Sequence, residues 1–274
     1  MKPFLKWIGG KSSLIDKVLS SFPESLNNYH EIFIGGGSVL LELLESKNIT
    51  VRGSFYAYDI NEGLVNTYKN LQSNTCELLL ELKLLKNEYF ASKSGEDYYY
   101  LQRKIFNELD DKSSVKYSAL FIFLNKIGFR GMYRESKNGF NVPYGHYKAP
   151  EIYNEENMKK ISELIKDVRF ICIPFEESIL KAEEGDFMYL DPPYLPISAT
   201  SFVKYNNSGF SEKNHTKLFN LIKESKASFS LSNSDTPLIR LVFSKFKVLS
   251  FKAKRRINPK NPGSTVGEVI ISRN

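Results

Sequence analysis

The chain has 274 residues, of which 42% are hydrophobic, 14% aromatic and 25% charged, a composition that excludes collagen, coiled coil and wholesale disorder. Its formal net charge of +7 favours an anionic partner, either nucleic acid or a phosphorylated ligand. The start MKPFLKWIGGKSS has no apolar signal core, and no window approaches the roughly 20 apolar residues of a membrane span, so a cytoplasmic protein that binds no membrane is expected.

In chain order, Leu14, Ile15, Val18 and Leu19 fall on one helical face, 29–34 reads as a strand, 39–44 as a helix and 54–58 as a second strand. The region 61–153 then breaks the alternation. Leu64, Val65, Tyr68 and Leu71, then Tyr98, Leu101, Ile105 and Leu109, then residues 119–124 predict successive helices with no strand between them. The end of this region, 128–145, is rich in glycine, asparagine and aromatics, and Lys137-Asn138-Gly139 between extended stretches predicts a β-hairpin. Beyond it, Met158, Ile161, Leu164 and Ile165 form another helical face, and strands are predicted at 168–173, 186–190, 227–232, 246–251 and 266–272. Helices alternating with such strands imply an α/β sheet protein carrying a helical insertion. Cys76 falls in a helical pattern and Cys172 in a strand pattern, and both are expected to be buried free thiols.

Positive charge is concentrated twice. Between 112 and 150 stand Lys112, Lys116, Lys126, Arg130, Arg134, Lys137 and Lys148 against the single acid Glu135. Between 236 and 267 there is no acid, while Arg240, Lys245, Lys247, Lys252, Lys254, Arg255, Arg256 and Lys260 are basic. The first run is interleaved with Phe129, Tyr133, Phe140, Tyr144 and Tyr147, which suits phosphates together with stacked bases; a solvated face is the bland alternative.

The motif Phe33-Ile34-Gly35-Gly36-Gly37-Ser38 joins a strand to a helix, so its bare backbone and free N–H groups suit a ligand. Leu40 stands at the third glycine position of the dinucleotide fingerprint, which therefore fails. Asp59, ending the second strand, is placed to accept from both hydroxyls of a ribose. An adenosine-type cofactor without a pyrophosphate is the reading that survives. Gly9-Gly10-Lys11-Ser12 is no phosphate loop, because Leu5 stands where that motif needs glycine and no strand precedes it. Three histidines without a cysteine pair give no basis for a metal site.

The most specific motif is Asp191-Pro192-Pro193-Tyr194 after an apolar strand. Two prolines hold a rigid turn without donor amides, leaving the Asp191 carboxylate and the Pro192 carbonyl as two acceptors beside the Tyr194 ring. That set matches a planar ring carrying an exocyclic NH₂ group, bonded through its two protons and stacked on the tyrosine.

On these residues the sequence resembles the DNA adenine-N6 methyltransferases of the Dam type. The likeness runs over nearly the whole chain: Phe4-Leu5-Lys6-Trp7 with Gly9-Gly10-Lys11, the 33–38 loop, Asp59-Ile60-Asn61, Leu124-Asn125, Gly131-Met132-Tyr133-Arg134, Phe140-Asn141-Val142-Pro143-Tyr144-Gly145, the 191–194 turn with Leu195-Pro196-Ile197-Ser198-Ala199-Thr200, and Ser232-Asn233. It departs at Ile32, where the family has proline before Phe33, and at Arg130, often asparagine in relatives.

The resemblance implies a Rossmann-like methyltransferase sheet, mostly parallel with a reversed last strand. It implies a catalytic domain of residues 1–60 and 154–274 that binds S-adenosyl-L-methionine, and an inserted, mainly helical target-recognition domain of residues 61–153. By motif position, Trp7 and Lys11 line the cofactor's methionine end, Phe33, Gly35, Gly37, Ser38 and Asp191 belong to its site, Asp59 holds its ribose, and Lys6 approaches duplex DNA. The segment 129–143 resembles the recognition hairpin of members whose sites begin GAT. Arg134 would then pair with guanine, and Met132 and Pro143 would meet a thymine methyl. Phe129 or Tyr133 would wedge into the base stack, Arg130 would bear on an outer base, and Arg255 and Arg256 would contact phosphates. The expected reaction is methylation of adenine N6 within GATC by base flipping. The alternatives are another GAT-containing site such as GATATC, an RNA substrate, or a catalytically silent DNA-binding relative. A cognate restriction endonuclease is a compatible partner, and the oligomeric state is not legible.

Overall fold

A computed structural model describes residues 1–195, 210–254 and 265–273. The first elements are α1 (Ile15–Leu19), β1 (Ser25–Leu26), β2 (Tyr29–Glu31), α2 (Ser38–Glu45), β3 (Thr50–Val51) and β4 (Phe55–Asp59). The helices α3 (Glu62–Ser73), α4 (Thr75–Ala91), α5 (Gly95–Glu108) and α6 (Val115–Ile127) follow, then a 3₁₀ turn (Phe129–Gly131) and the short strands β5 (Glu135–Ser136) and β6 (Gly139–Phe140). The remainder comprises α7 (Glu155–Leu164), β7 (Val168–Cys172), α8 (Phe175–Ile179), β8 (Phe187–Leu190), α9 (Glu212–Glu224), β9 (Ser228–Ser234), α10 (Pro237–Val242), β10 (Lys247–Lys254) and β11 (Thr265–Arg273).

The chain divides into two compact units. One comprises Met1–Ser12, Gly35–Glu45 and Asp59–Cys172; the other comprises Ser13–Ile34, Ser46–Tyr58 and Ile173–Asn274. In the second unit the sheet runs β10-β11-β9-β8-β2-β4, with β4, β2, β8 and β9 mutually parallel and β11 antiparallel to both its neighbours. This is the mostly parallel sheet with a reversed last strand that the resemblance implied. The chain leaves β2 towards β4 on one side and continues from β8 to β9 on the other, so the sheet has its switch point between β2 and β8.

Burial on both faces explains the strand sequences. All four residues of β8, Phe-Met-Tyr-Leu, are buried, as a central parallel strand requires. In β9, Phe229 and Leu231 alternate with Ser230 and Ser232, yet the serines are buried too. Their hydroxyls are matched: Ser230 Oγ lies 2.8 Å from Ser21 Oγ, and Ser232 Oγ 2.9 Å from the Tyr189 hydroxyl.

The first unit is built round α6, buried at every residue from Tyr117 to Ile127 and packed by α3, α4 and α5. Helix starts follow side-chain caps: Asn61 accepts from Leu64 N, Ser94 from Asp97 N, Ser114 from Tyr117 N and Asn154 from Asn157 N. The predicted hairpin is present, with Glu135 opposite Phe140 and Ser136 opposite Gly139.

Two expectations need correction. The helical pattern at Cys76 belongs to the 17-residue helix α4, whose extent and buried face were not among the predicted helical faces. Its leucines lie on all sides: Leu78, Leu79, Leu82 and Leu85 are buried, while Leu80 and Leu84 are 63% and 56% exposed, so no one-sided stripe marks it. Cys76 and Cys172 are free, as expected, but exposed rather than buried.

Two buried histidines bear on stability. His30 Nε2 lies 3.1 Å from Asp186 Oδ2 and its Nδ1 3.1 Å from the Tyr58 hydroxyl. Burial, outweighing the pull of Asp186, holds the His30 pKa below its ordinary value. His215, packed between Phe210 and Phe219, has neither ring nitrogen partnered among the described residues, and burial lowers its pKa to about 4. Both imidazoles are therefore neutral when folded. Their stabilisation is complete above the unfolded value of about 6.5 and is lost as pH falls through it, because the unfolded chain binds the protons first. Denaturant titrations from pH 7 to 4.5 should show unfolding free energy falling with pH, and His215→Phe should flatten that fall by up to about 1.4 kcal/mol per pH unit.

Candidate active site

In the first unit, the loop after β2 enters α2 through Gly35 (φ +46°) and Gly37 (φ +70°), backbone conformations that disfavour a side chain. Space is restricted as well. A Cβ at Gly35 would stand 2.7 Å from Trp7 Cδ1, one at Gly36 2.9 Å from Trp7 Cβ, and one at Gly37 2.5 Å from the Tyr68 hydroxyl. Asp59 faces the loop from the end of β4: Oδ2 accepts from Gly35 N at 3.3 Å and Oδ1 from Asn61 N at 3.0 Å. Burial raises the Asp59 pKa above the usual carboxylate range, and the amides of Asn61, Gly35 and Ile60 oppose that shift. At the start of α2, Ser38 Oγ accepts from Lys11 N at 3.1 Å. The Lys11 side chain is buried at 5% exposure, with Nζ donating to Gly9 O at 2.6 Å. The structure thus brings Trp7, Lys11, Gly35, Gly37, Ser38 and Asp59 together.

In the second unit, β8 delivers Asp191-Pro192-Pro193-Tyr194 to the carboxyl end of the sheet, at the switch point. The strand β2 ends beside it, since Ile32 N donates to Tyr189 O at 3.0 Å. Phe33 continues from there and packs against Phe175 and Phe210, each at 6.0 Å between ring centroids. Two residues that carried no assigned role hold the turn. Glu268 of β11 accepts from the Tyr194 hydroxyl at 3.2 Å, and Asn233 of β9 accepts from Leu195 N at 3.1 Å. Burial, with Asp191 and Glu268 nearby, pushes the Tyr194 pKa well above its ordinary value, so the hydroxyl remains a donor. The sequence signal for Glu268 was a lone acid inside an apolar strand pattern.

The recognition-type residues lie in the first unit. Asn125 donates to the carbonyls of Lys6 and Gly131 and accepts from Lys6 N, which ties the N-terminal segment to the turn before the hairpin. Lys6 Nζ donates to Lys126 O at 3.0 Å and lies 4.1 Å over the Tyr147 ring. Arg134 is exposed and is oriented by Asn141, with Nε donating to Oδ1 at 2.6 Å and Nη2 to the carbonyl at 3.1 Å. Pro143 is exposed, Met132 half-buried, and Phe129 41% exposed beneath the Arg130 guanidinium at 5.0 Å. Tyr133, by contrast, is packed among Trp7, Phe121 and Phe140. Arg255, Arg256 and the Ser198-Ala199-Thr200 stretch lie outside the described residues. Among the described residues no cluster of three or more His, Cys, Asp or Glu is placed to hold a metal ion, and no helix is long and apolar enough to cross a membrane.

Comparison with known proteins places the chain in a family. The family model for D12 class N6 adenine-specific DNA methyltransferases matches residues 7–257. The type II methyltransferase M.MjaIII of Methanocaldococcus jannaschii is 36% identical over 95% of this chain and 94% of its own. The type II methyltransferase M1.LlaDCHI of Lactococcus lactis subsp. cremoris is 34% identical over 99% and 95% respectively. The DNA adenine methylase of Escherichia coli K12 is 30% identical over 94% and 89%. With matches of this length in both comparisons, the chain belongs to the D12 class of N6 adenine-specific DNA methyltransferases.

Proposed function

We propose that the chain transfers a methyl group from S-adenosyl-L-methionine to N6 of adenine in duplex DNA, within GATC, after the base has swung out of the helix. The observation that carries this reading is the 191–194 turn, which follows β8 at the switch point, with Tyr194 anchored by Glu268 and Leu195 by Asn233. On this reading residues 1–60 and 154–274 form the catalytic domain and 61–153 the target-recognition domain.

The glycine loop suits an adenosine-type cofactor, since its bare backbone lies beside Asp59, whose carboxylate retains acceptor directions beyond the amides that it already accepts from. Asp59 would hold the ribose, and Trp7 and Lys11 would line the methionine end. Bound there, the cofactor supplies an already activated sulfonium methyl. Asp191 and the Pro192 carbonyl accept the two N6 protons. Their attraction strengthens as N6 turns tetrahedral and partly positive, which offsets the poor nucleophilicity of an amine conjugated with its ring. Tyr194 provides the stacking face, which a base can reach only after extrusion at about a few kcal/mol. Lys6, Phe129, Arg130, Met132, Arg134 and Pro143 would face the duplex, with Arg255 and Arg256 on phosphates.

Asp191→Ala should lower kcat by about a hundredfold or more while the affinities for S-adenosylhomocysteine and DNA stay within about threefold, in single-turnover and calorimetric measurements. Asp59→Ala should instead weaken S-adenosylhomocysteine binding about tenfold or more.

Target choice is read by methylating GATC, AATC, GATA and GATATC duplexes and an RNA of the same sequence. GATC should be preferred, and Arg134→Ala should lose about ten- to a hundredfold of the discrimination against AATC. Preference for GATATC or for RNA would replace the GATC assignment, and absence of methylation on every substrate would favour the silent relative.

A further inference from the structure

Three near-parallel rings meet in the first unit. Tyr133 lies 5.8 Å from Trp7 at 21°, Trp7 6.4 Å from Phe121 at 16°, and Phe121 5.2 Å from Tyr133 at 28°. Each comes from a different part of the chain: the N-terminal segment, the buried face of α6, and the residue beside Arg134 at the entry to the hairpin. The Trp7 ring in turn abuts the glycine loop, because a Cβ at Gly35 would stand 2.7 Å from its Cδ1 and 2.9 Å from its Nε1. Tyr133 is anchored at its other end too, through a hydroxyl that donates to Glu135, the first residue of β5. A ring stacked in this way is not available for insertion into DNA, whereas Phe129 stands on the open surface.

We propose that Tyr133 is a positioning residue for the glycine loop: by stacking on Trp7 it holds the indole against Gly35 and Gly36, so that the recognition hairpin sets the affinity for the cofactor before any DNA is bound. The proposal rests on assigning that loop to S-adenosyl-L-methionine. It gives Tyr133 a role different from the DNA wedge that the sequence suggested. Stacking needs a ring and not a hydroxyl, so phenylalanine should substitute and an aliphatic side chain should not.

The test is S-adenosylhomocysteine binding by calorimetry, in the complete absence of DNA, to wild type, Tyr133→Phe, Tyr133→Leu and Tyr133→Ala. Tyr133→Leu keeps most of the apolar bulk, so the comparison survives if the alanine variant fails to fold. Trp7 is the only tryptophan, so its fluorescence reports the stack directly. The expected result is affinity weakened about tenfold in the leucine and alanine variants, with a red-shifted Trp7 emission, and affinity within about twofold of wild type for Tyr133→Phe. Wild-type affinity in the leucine variant, with only DNA binding reduced, would overturn the proposal and return Tyr133 to the DNA face. Failure of wild type itself to bind S-adenosylhomocysteine would overturn the cofactor assignment, and this proposal with it.

Discussion

A carboxylate buried in a sheet has to be matched donor for donor, and Asp186, immediately before β8, is the residue on which the central strands depend. Its Oδ1 accepts from Asn27 Nδ2, Asn28 N and Asn28 Nδ2, and its Oδ2 from Glu183 N and His30 Nε2. Burial alone would raise the Asp186 pKa; these donors reverse the sign and lower it. The bond from Asn28 N fixes where β2 begins relative to β8, with Tyr29 opposite Phe187 and Glu31 opposite Tyr189. A slip of one residue would turn every side chain of the strand to the wrong face. The same register, read at the far ends of the strands, sets the Phe33 segment beside the 191–194 turn. Polar matching at one end of the sheet therefore determines the chemistry at the other.

Each of the seven predicted strands is present within a few residues; the central ones were legible because parallel strands buried on both faces are short apolar runs, whereas β10, an exposed edge strand, was read from its β-branched and aromatic residues. The extent of α4 was not legible, because its leucines point all round, and the exposed thiols were not, because a helical or strand pattern does not say which face a cysteine occupies. Among the candidate residues, the glycine loop and Asp59 in one unit and the 191–194 turn in the other could be read since each is local in sequence. Glu268 and Asn233 act on that turn from β11 and β9, and only the pairing of those strands brings them to it. Tyr133 could be seen as an aromatic of the hairpin but not as a neighbour of Trp7, since 126 positions of chain separate them.

The turn before the hairpin shows a local compromise of the opposite kind. Arg130 has φ +58° and Gly131 φ +63°, two successive left-handed residues that let Phe129 N reach Pro143 O and Asn125 reach Gly131 O. Glycine takes that conformation freely and asparagine with little strain, whereas an arginine there costs about 1 kcal/mol or more. In this chain the guanidinium gains a contact over Phe129 in exchange.

The place of β11 has a consequence for how the polypeptide matures on the ribosome. It lies between β9 and β10, and among the described strands it is the only one that β10 pairs with. While the chain is being made, β10 emerges with no ladder to join, and β9 keeps an open edge until residues 265–273 have been added. During that interval an apolar edge, including the buried Phe229 and Leu231, is exposed to other nascent chains. Closure of the sheet is thus a late, single event, and the strand that achieves it also carries Glu268, so the 191–194 turn acquires its anchor only when the sheet is sealed.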